Sequence, residues 1–138
     1  MTIKETTTIR IRFNETDPLG IVWHGNYISY FEEGRESFGR KHGLSYLDVK
    51  TNGYVTPIIE STTKHKLPLK YGDIATIETA FEDCKSAKMI FTYKIFNPEG
   101  KIACIGRTVQ VFVNFEDELS LTLPPFFEAW KKKEGLMK

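Results

Sequence analysis

Apolar and polar residues alternate near the start of the chain. Between residues 8 and 13, Ile9, Ile11 and Phe13 occupy one side of the pattern, and two arginines occupy the other. A period of two is typical of a β-strand with one buried face. The pattern therefore predicts a strand at 8–13 with Phe13 on its buried side, followed by an ordered loop over the turn-forming residues 14–20.

The next segment has the period of an amphipathic helix. Apolar positions recur on one stripe, at Tyr27, Tyr30, Phe31, Gly34 and Phe38. This spacing predicts a helix at about Asn26–His42, with Asn26 capping its first turn and Gly43 in a left-handed conformation beyond its end. Gly34 costs about 1 kcal/mol in helix propensity, and close approach of the helix to a sheet is one physical reason for tolerating it.

Strand-forming residues dominate the second half of the chain. Segments rich in Val, Ile, Thr, Phe and Tyr cover residues 54–66, 74–83, 87–97 and 101–114. Turn-forming residues at 70–73 and 97–100 predict antiparallel hairpins between the strands that they join.

Two short elements complete the predicted organisation. A turn-like piece at Ser45–Lys50, with Ser45 as a cap, precedes the strands. A final helix runs from Pro124 to about Lys133, with an apolar side formed by Phe126, Phe127 and Trp130. The element order predicts a single α+β domain, residues 1–138, in which a five-stranded antiparallel sheet wraps round the long helix.

Composition and charge exclude several classes of function. The 138 residues carry 19 basic and 18 acidic side chains, a net charge of +1 that gives no bulk field for nucleic acid or an anionic membrane. The sequence shows no signal-like start and no apolar run of about 20 residues. Two cysteines in a chain with an adequate core favour a reduced, cytoplasmic setting.

The loop before the long helix concentrates the chemically useful residues. Asp17 lies seven residues ahead of a helix start whose amides, at Trp23, His24, Gly25 and Asn26, should be unpaired. Unpaired amides and the positive end of the helix dipole favour binding of an oxyanion or a polarised carbonyl. A carboxylate and a carbonyl-polarising helix end are together sufficient for acyl chemistry.

The segment that carries this loop has a specific sequence. Residues 17–27 read DPLGIVWHGNY and resemble the signature of the 4-hydroxybenzoyl-CoA thioesterase family of the hotdog fold, with support from residues 56–59 and 71–79. The resemblance covers nearly the whole chain except the last helix. It implies a helix inside an antiparallel sheet, a homodimer or homotetramer with active sites at the subunit interface, and hydrolysis of acyl-CoA thioesters without metal or cofactor.

The resemblance also implies a role for individual residues. Asp17 matches the catalytic carboxylate, either as a nucleophile or as a general base. His24, through its main-chain amide first, and Gly25 behind it match the carbonyl-polarising group. Trp23 and Tyr27 are core aromatics by default, and the resemblance suggests that they also wall the acyl pocket.

Further residues are assigned to substrate binding. Pro57, Ile58, Ile59 and Glu60, on the second strand, are expected near the acyl group, with Glu60 either facing solvent or turned into the site. Lys85 and Lys88 are candidates for binding the phosphates of coenzyme A, with Lys64 and Lys66 as outside options. Since exposed lysines are often merely solvated, an acyl carrier protein remains an alternative substrate carrier.

Other chemistries find less support in the sequence. His42 and His65 have no partner at metal-ligand spacing, Cys84 and Cys104 lack an activating environment, and no glycine-rich phosphate loop is present. Two alternatives to a thioesterase stay open. A hydratase or dehydratase of the same fold would release no CoA, and a non-catalytic acyl-binding protein would hold its ligand without turnover.

Overall fold

The computed structural model describes residues 3–138. Its elements are β1 (Ile3–Arg10), α1 (Tyr27–His42), α2 (Tyr46–Thr51), β2 (Tyr54–Val55), β3 (Ile58–His65), β4 (Ile74–Glu82), β5 (Lys88–Phe96), β6 (Ile102–Val111), β7 (Val113–Asn114) and α3 (Pro125–Lys133). Short 3-10 turns occur at Phe13–Glu15 and His24–Asn26. None of the helices in this part of the chain is long and apolar enough to cross a membrane.

Five strands form one antiparallel sheet in the order β1-β4-β5-β6-β3, while β2 and β7 pair separately. The predicted hairpin at 97–100 is confirmed, because β5 and β6 are neighbours. The predicted hairpin at 70–73 is wrong, because β3 pairs with β6 and lies at the opposite side of the sheet from β4. Residues 66–73 instead cross the end of the sheet, over three strand spacings of about 5 Å each.

The first strand lies earlier in the chain than its apolar pattern predicts. It ends at Arg10, and the chain then bends into the turn at Phe13–Glu15. Ile11 is fully buried, but Phe13 is 75% exposed, so its predicted position on the buried face is wrong. The main-chain amide of Ile11 donates to the carbonyl of Asp73 at 2.9 Å, and the carbonyl of Ile11 accepts the amide of Gly72 at 2.9 Å, so Ile11 is still held against the turn before β4 and the chain bends only after it.

The long helix α1 confirms the predicted bounds to within one residue. Gly43, beyond its end, has a left-handed φ of 71° as predicted. The side chain of Asn26 does not cap the helix, because its amide nitrogen donates to the main-chain oxygen of Glu15 at 2.8 Å. A Cβ atom at Gly34 would lie 2.8 Å from Cγ2 of Ile77 and would overlap Oγ1 of Thr79, which confirms the close approach to the sheet.

The helix α3 closes one end of the core. Phe127 and Trp130 are buried as predicted, while Phe126 is half-buried. The indole Nε1 of Trp130 donates to the carbonyl of His42 at 2.6 Å, which ties α3 to the end of α1. The predicted piece at 45–50 is the helix α2, and its N-cap Ser45 accepts a hydrogen bond from the amide of Asp48 as expected.

Candidate active site

Main-chain hydrogen bonds fold the loop before α1 back on itself. Thr16 and Val22 form an antiparallel bridge, and the amide of Asp17 donates to the carbonyl of Ile21 at 2.8 Å. The amide of Trp23 then donates to the carbonyl of Glu15 at 2.9 Å. Asp17 is therefore held across a narrow ribbon from the residues that lead into α1.

The carboxylate of Asp17 has two different oxygens. Oδ1 accepts the amide of Leu19 at 2.8 Å, which is the hydrogen bond of an Asx turn. Oδ2 has no hydrogen-bond partner among residues 3–138, and the side chain is half-buried. One oxygen thus shapes the loop, and the other is left for an external group.

Two of the four amides expected to be free at the helix start are not free. The amide of Trp23 is bonded to Glu15, and that of Asn26 donates to the carbonyl of Trp23 at 2.9 Å, so the prediction is wrong for these two. The amides of His24 and Gly25 have no acceptor within residues 3–138. They belong to the first positions of a 3-10 turn, which has no earlier carbonyl in register to accept them.

The absence of a side chain at Gly25 leaves room for the indole of Trp23. A Cβ atom at Gly25 would overlap the six-membered ring, with Cε3 at 2.7 Å. Trp23 is 50% exposed and is therefore not a core aromatic, and its ring centre lies 5.0 Å from that of His24. Tyr27 is only 4% exposed, and its burial raises the pKa of its hydroxyl to about 12.

A cavity of about 340 Å³ opens beside His24, whereas Asp17 and Gly25 are not among its lining residues. Its walls come from the helix start and from the end of β3, and include Ile21, His24, Tyr27, His65, Lys66 and Leu67. The amide of Val22 donates to the carbonyl of Leu69 at 2.8 Å, and Ile21 bridges Lys70. These bonds hold the two walls together and explain why residues 66–70 do not turn back into a hairpin.

The residues at 57–60, which the sequence assigns to binding of the acyl group, lie elsewhere in a single chain. Pro57 and Ile58 line a separate cleft of about 770 Å³ beside the outer face of α1. Ile59 is exposed, and Glu60 is exposed with its carboxylate 3.5 Å from Nη1 of Arg107. In one chain, Glu60 therefore faces solvent, and none of the four residues reaches the His24 cavity.

The predicted coenzyme A lysines lie far from His24 within one chain. Lys85 is in the turn between β4 and β5, and Lys88 pairs with Val111 at the end of β6. His65, on the cavity wall, pairs with Cys104 near the opposite end of β6. Of the basic residues considered from sequence, only Lys66 lines the cavity.

Sequence reasoning missed His65 as a site residue. Its ring centre lies 4.9 Å from that of Tyr27 and 6.5 Å from that of His24. Its separation from His24 along the chain follows no catalytic or metal-ligand spacing, and only its place at the end of β3 could have drawn attention to it. No group of three or more His, Cys, Asp or Glu residues between 3 and 138 has metal-site geometry.

Both cysteines lie outside the cavity. Cys104 is fully buried, and burial raises the pKa of its thiol to about 12. The Sγ atom of Cys84 lies 3.4 Å from Oγ of Ser86 in the β4–β5 turn.

Comparison with known proteins places the chain in a family. The model of the thioesterase-like superfamily matches residues 11–131. A Bacillus subtilis (strain 168) protein named "Putative acyl-CoA thioesterase YneP" is 31% identical over 122 residues, which cover 88% of each chain. The crystal structure of a DHNA-CoA thioesterase from Staphylococcus aureus is 28% identical, with a TM-score of 0.85 over 96% of this chain and 92% of that one.

A further solved structure supports the fold. A mutant 4-hydroxybenzoyl-CoA thioesterase in complex with 4-hydroxybenzoyl-CoA has a TM-score of 0.79 and 24% identity, over 92% of this chain and 97% of that one. The fold is therefore the hotdog fold that the motif at 17–27 predicts. The match to the family model spans both walls of the cavity, and the chain belongs to the thioesterase-like superfamily, as an enzyme of the thioester hydrolase class.

Proposed function

We propose that this chain hydrolyses acyl-CoA thioesters to a free acid and coenzyme A, with Asp17 as the working carboxylate and the amides of His24 and Gly25 as the carbonyl-polarising groups. The observation that carries the proposal is the pair of unbonded amides at His24 and Gly25, of which His24 lines a cavity, together with an unbonded carboxylate oxygen of Asp17 on the same loop. The family membership supplies the class of reaction.

The reaction replaces the carbon–sulfur bond of the thioester with a carbon–oxygen bond from water. Negative charge develops on the carbonyl oxygen as the carbon is attacked, and two aligned amides stabilise it. Asp17 either attacks the carbonyl carbon, expels the thiolate and forms a mixed anhydride that water opens, or takes a proton from the attacking water. A thiolate leaves without strong protonation, so a carboxylate and two amides suffice.

The test is a thiol-release assay on acyl-CoA substrates with Asp17→Asn. Asparagine can still accept the amide of Leu19 in the Asx turn, so the loop is kept while the anionic oxygen is lost. We expect turnover to fall by at least about 10²-fold. Asp73→Asn is the matched control, because Oδ2 of Asp73 also accepts a turn amide, that of Lys70 at 2.9 Å, away from the cavity.

The outcomes of this assay separate the candidate functions. Unchanged turnover in the Asp17 variant would refute the assigned carboxylate. Turnover without release of a thiol would favour a hydratase, and tight acyl-CoA binding without any reaction would favour a binding protein. An acyl adduct found by mass spectrometry after acid quench would support the nucleophile over the general base.

We also propose that the active unit is a homodimer formed through β3. This strand pairs with β6 on one side only, and its apolar residues Ile58 and Ile59 are 43% and 56% exposed. A free, apolar strand edge is a template for pairing with a second chain. Antiparallel pairing about a twofold axis at Thr62 would set Glu60 of each chain opposite Lys64 of the other.

This register would also complete the site. It sets Ile59 of one chain opposite His65 of the other. Residues 57–60, which lie away from the His24 cavity in a single chain, would then lie close to the cavity of the second chain. The start of β5, with Lys88, lies at the same end of the sheet as Ile59 and would approach with it. Lys85 and Lys88 would then bind the phosphates of a coenzyme A molecule held at the cavity of the other subunit.

Charge reversal tests the dimer and its register. Glu60→Lys and Lys64→Glu each place like charges opposite one another at two symmetric sites, and we expect each to raise the dimer dissociation constant by about tenfold or more. The double variant should restore it. Sedimentation showing a monomer for the unaltered chain, or no rescue in the double variant, would contradict this interface.

The lysines are tested separately. Replacing Lys85 and Lys88 with alanine should raise KM for acyl-CoA by roughly 5–10-fold, because each removes a charge-assisted contact to phosphate. The KM for an acyl-pantetheine, which lacks the nucleotide phosphates, should stay unchanged. An equal rise in KM for both substrates would remove these lysines from phosphate binding.

A further inference from the structure

Lys131, on α3, is a buried lysine. Its side chain is only 3% exposed, and an ammonium group is costly to bury unless it is paired. The Nζ atom donates to the carbonyl of Cys84 at 2.6 Å and lies 2.8 Å from Oδ1 of Asp83. It also lies 5.1 Å from the centre of the Phe127 ring. The turn between β4 and β5 therefore satisfies this ammonium, which is too deeply buried to bind a ligand itself.

The turn that Lys131 contacts is long for a hairpin. The ladder between β4 and β5 ends at the pair Glu82 and Ile90, and β5 begins at Lys88, so residues 83–87 lie outside it. The commonest hairpins need only two residues in the loop. A longer connection depends on contacts with the rest of the fold to fix its shape, and Lys131 supplies two of them at the first two residues of this turn.

The bond to Cys84 has a direct consequence for Lys85. The carbonyl of Cys84 belongs to the peptide unit that joins these two residues, and a peptide unit is planar. A hydrogen bond that holds this carbonyl therefore also limits the direction in which the chain enters Lys85. Because the side chain of Lys85 is exposed, this main-chain contact orients a lysine that faces solvent.

Lys131 also compensates a negative charge beside Lys85. The carboxylate of Asp83, two residues earlier, is 37% exposed and forms an ion pair with no other cation among residues 3–138. Without the ammonium of Lys131, this charge would stand uncompensated next to Lys85. It would then repel a phosphate that approached the turn.

We infer that Lys131 is a positioning residue for the binding of coenzyme A, which fixes the β4–β5 turn and neutralises Asp83 so that Lys85 can bind a phosphate. The inference rests on the proposed function, because Lys85 must contact the phosphates for Lys131 to act through it. Since the phosphates are remote from the thioester, loss of Lys131 should weaken binding of the nucleotide end and leave the chemical step unchanged.

The experiment measures the Kd of coenzyme A by calorimetry. It also measures KM and kcat by thiol release for an acyl-CoA that the unaltered chain hydrolyses and for the acyl-pantetheine with the same acyl group. Lys131→Met removes the ammonium but keeps a long side chain against Phe127. We expect the Kd of coenzyme A and the KM for acyl-CoA to rise roughly 3–5-fold, while kcat and the KM for acyl-pantetheine stay unchanged. Lys132→Met, on the exposed side of the same helix, is the matched control and should change none of these values.

Two double variants separate positioning from a general loss of packing. If Lys131 acts through Lys85, Lys131→Met should have little further effect in a Lys85→Ala background, because the contact is already lost. Adding Asp83→Asn to Lys131→Met should restore part of the affinity for coenzyme A, because it removes the uncompensated charge. Lys131→Gln, which can still donate to the carbonyl of Cys84, guards against loss of folding and should show the same selective change at a smaller size.

The outcomes distinguish the inference from the proposal beneath it. A selective rise in KM for acyl-CoA when Lys85 and Lys88 are replaced, but none in Lys131→Met, would overturn the inference alone. An equal rise for acyl-CoA and acyl-pantetheine in Lys131→Met, or effects of Lys131→Met and Lys85→Ala that simply add, would also overturn it. No selective rise when Lys85 and Lys88 are replaced would instead overturn the assigned phosphate contacts, and the inference with them.

Discussion

Gly34→Ala tests how closely α1 sits against the sheet. In an isolated helix, this change would stabilise by about 1 kcal/mol, because alanine loses less backbone entropy than glycine. In this fold, the new methyl group would lie 2.8 Å from Cγ2 of Ile77, where ordinary van der Waals contact begins at 3.4 Å, and would overlap Oγ1 of Thr79. Both neighbours are β-branched side chains on the buried face of β4, so neither can swing away.

The magnitudes decide which effect dominates. Overpacking a dense core costs about 1–3 kcal/mol. This cost equals the gain in helix propensity at the lower end of the range and exceeds it elsewhere. Because both contacts fall below 3.0 Å, we take the upper part of that range, about 2–3 kcal/mol. After the helix-propensity gain of about 1 kcal/mol, we expect Gly34→Ala to lower the free energy of unfolding by about 1–2 kcal/mol and the melting temperature by roughly 3–8 °C. Ser29→Ala, on the exposed face of α1, is the control and should be neutral or slightly stabilising.

The measurement is urea unfolding at a fixed chain concentration, because dimer formation would make the midpoint depend on concentration. The slope with urea should stay unchanged, so that the midpoint reports stability alone. A Gly34→Ala variant as stable as the parent, or more stable, would refute the close approach of helix and sheet.

The remaining predictions concern α3, the thiols and the helix start. Trp130→Phe, which keeps a ring but loses the indole hydrogen bond to the end of α1, should cost about 1–2 kcal/mol in unfolding experiments, and Trp130→Ala about 3–5 kcal/mol. Because burial raises the pKa of Cys104 to about 12, a thiol reagent at pH 8 should label only Cys84 in the native protein and both cysteines after denaturation. Gly25→Ala should displace the indole of Trp23 and lower kcat at least tenfold while the melting temperature changes little, and full activity would contradict the assigned role of this helix start.

Much of the fold follows from local sequence patterns. The stripe from Tyr27 to Phe38 located α1 to within one residue, and Gly43 marked its end, because both signals act within a few residues of the backbone that they shape. The motif at 17–27 located the candidate site for the same reason. Hydrogen bonds among residues 13–26 form its turn and its antiparallel bridge, and they leave the amides of His24 and Gly25 without an acceptor.

Tertiary structure decided the features that depend on distant partners. Residues 70–73 form a turn, as their composition indicates, but bonds from Val22 to Leu69 and from Ile21 to Lys70 direct the chain across the sheet and not back along it. Phe13 fits an alternating pattern, yet the strand has already ended at Arg10. Neither outcome is encoded in a window of neighbouring residues.

The sequence by itself determined the family motif and the central helix, and it predicts Asp17 as the working carboxylate, because these rest on spacings within one segment. Only the tertiary structure decided which amides stay free, which wall His65 occupies and why Pro57–Glu60 lie apart from His24 in one chain. Those features arise where segments about forty residues apart in the sequence come into contact. Hydrophobic periodicity carries no information about which strands pair with each other.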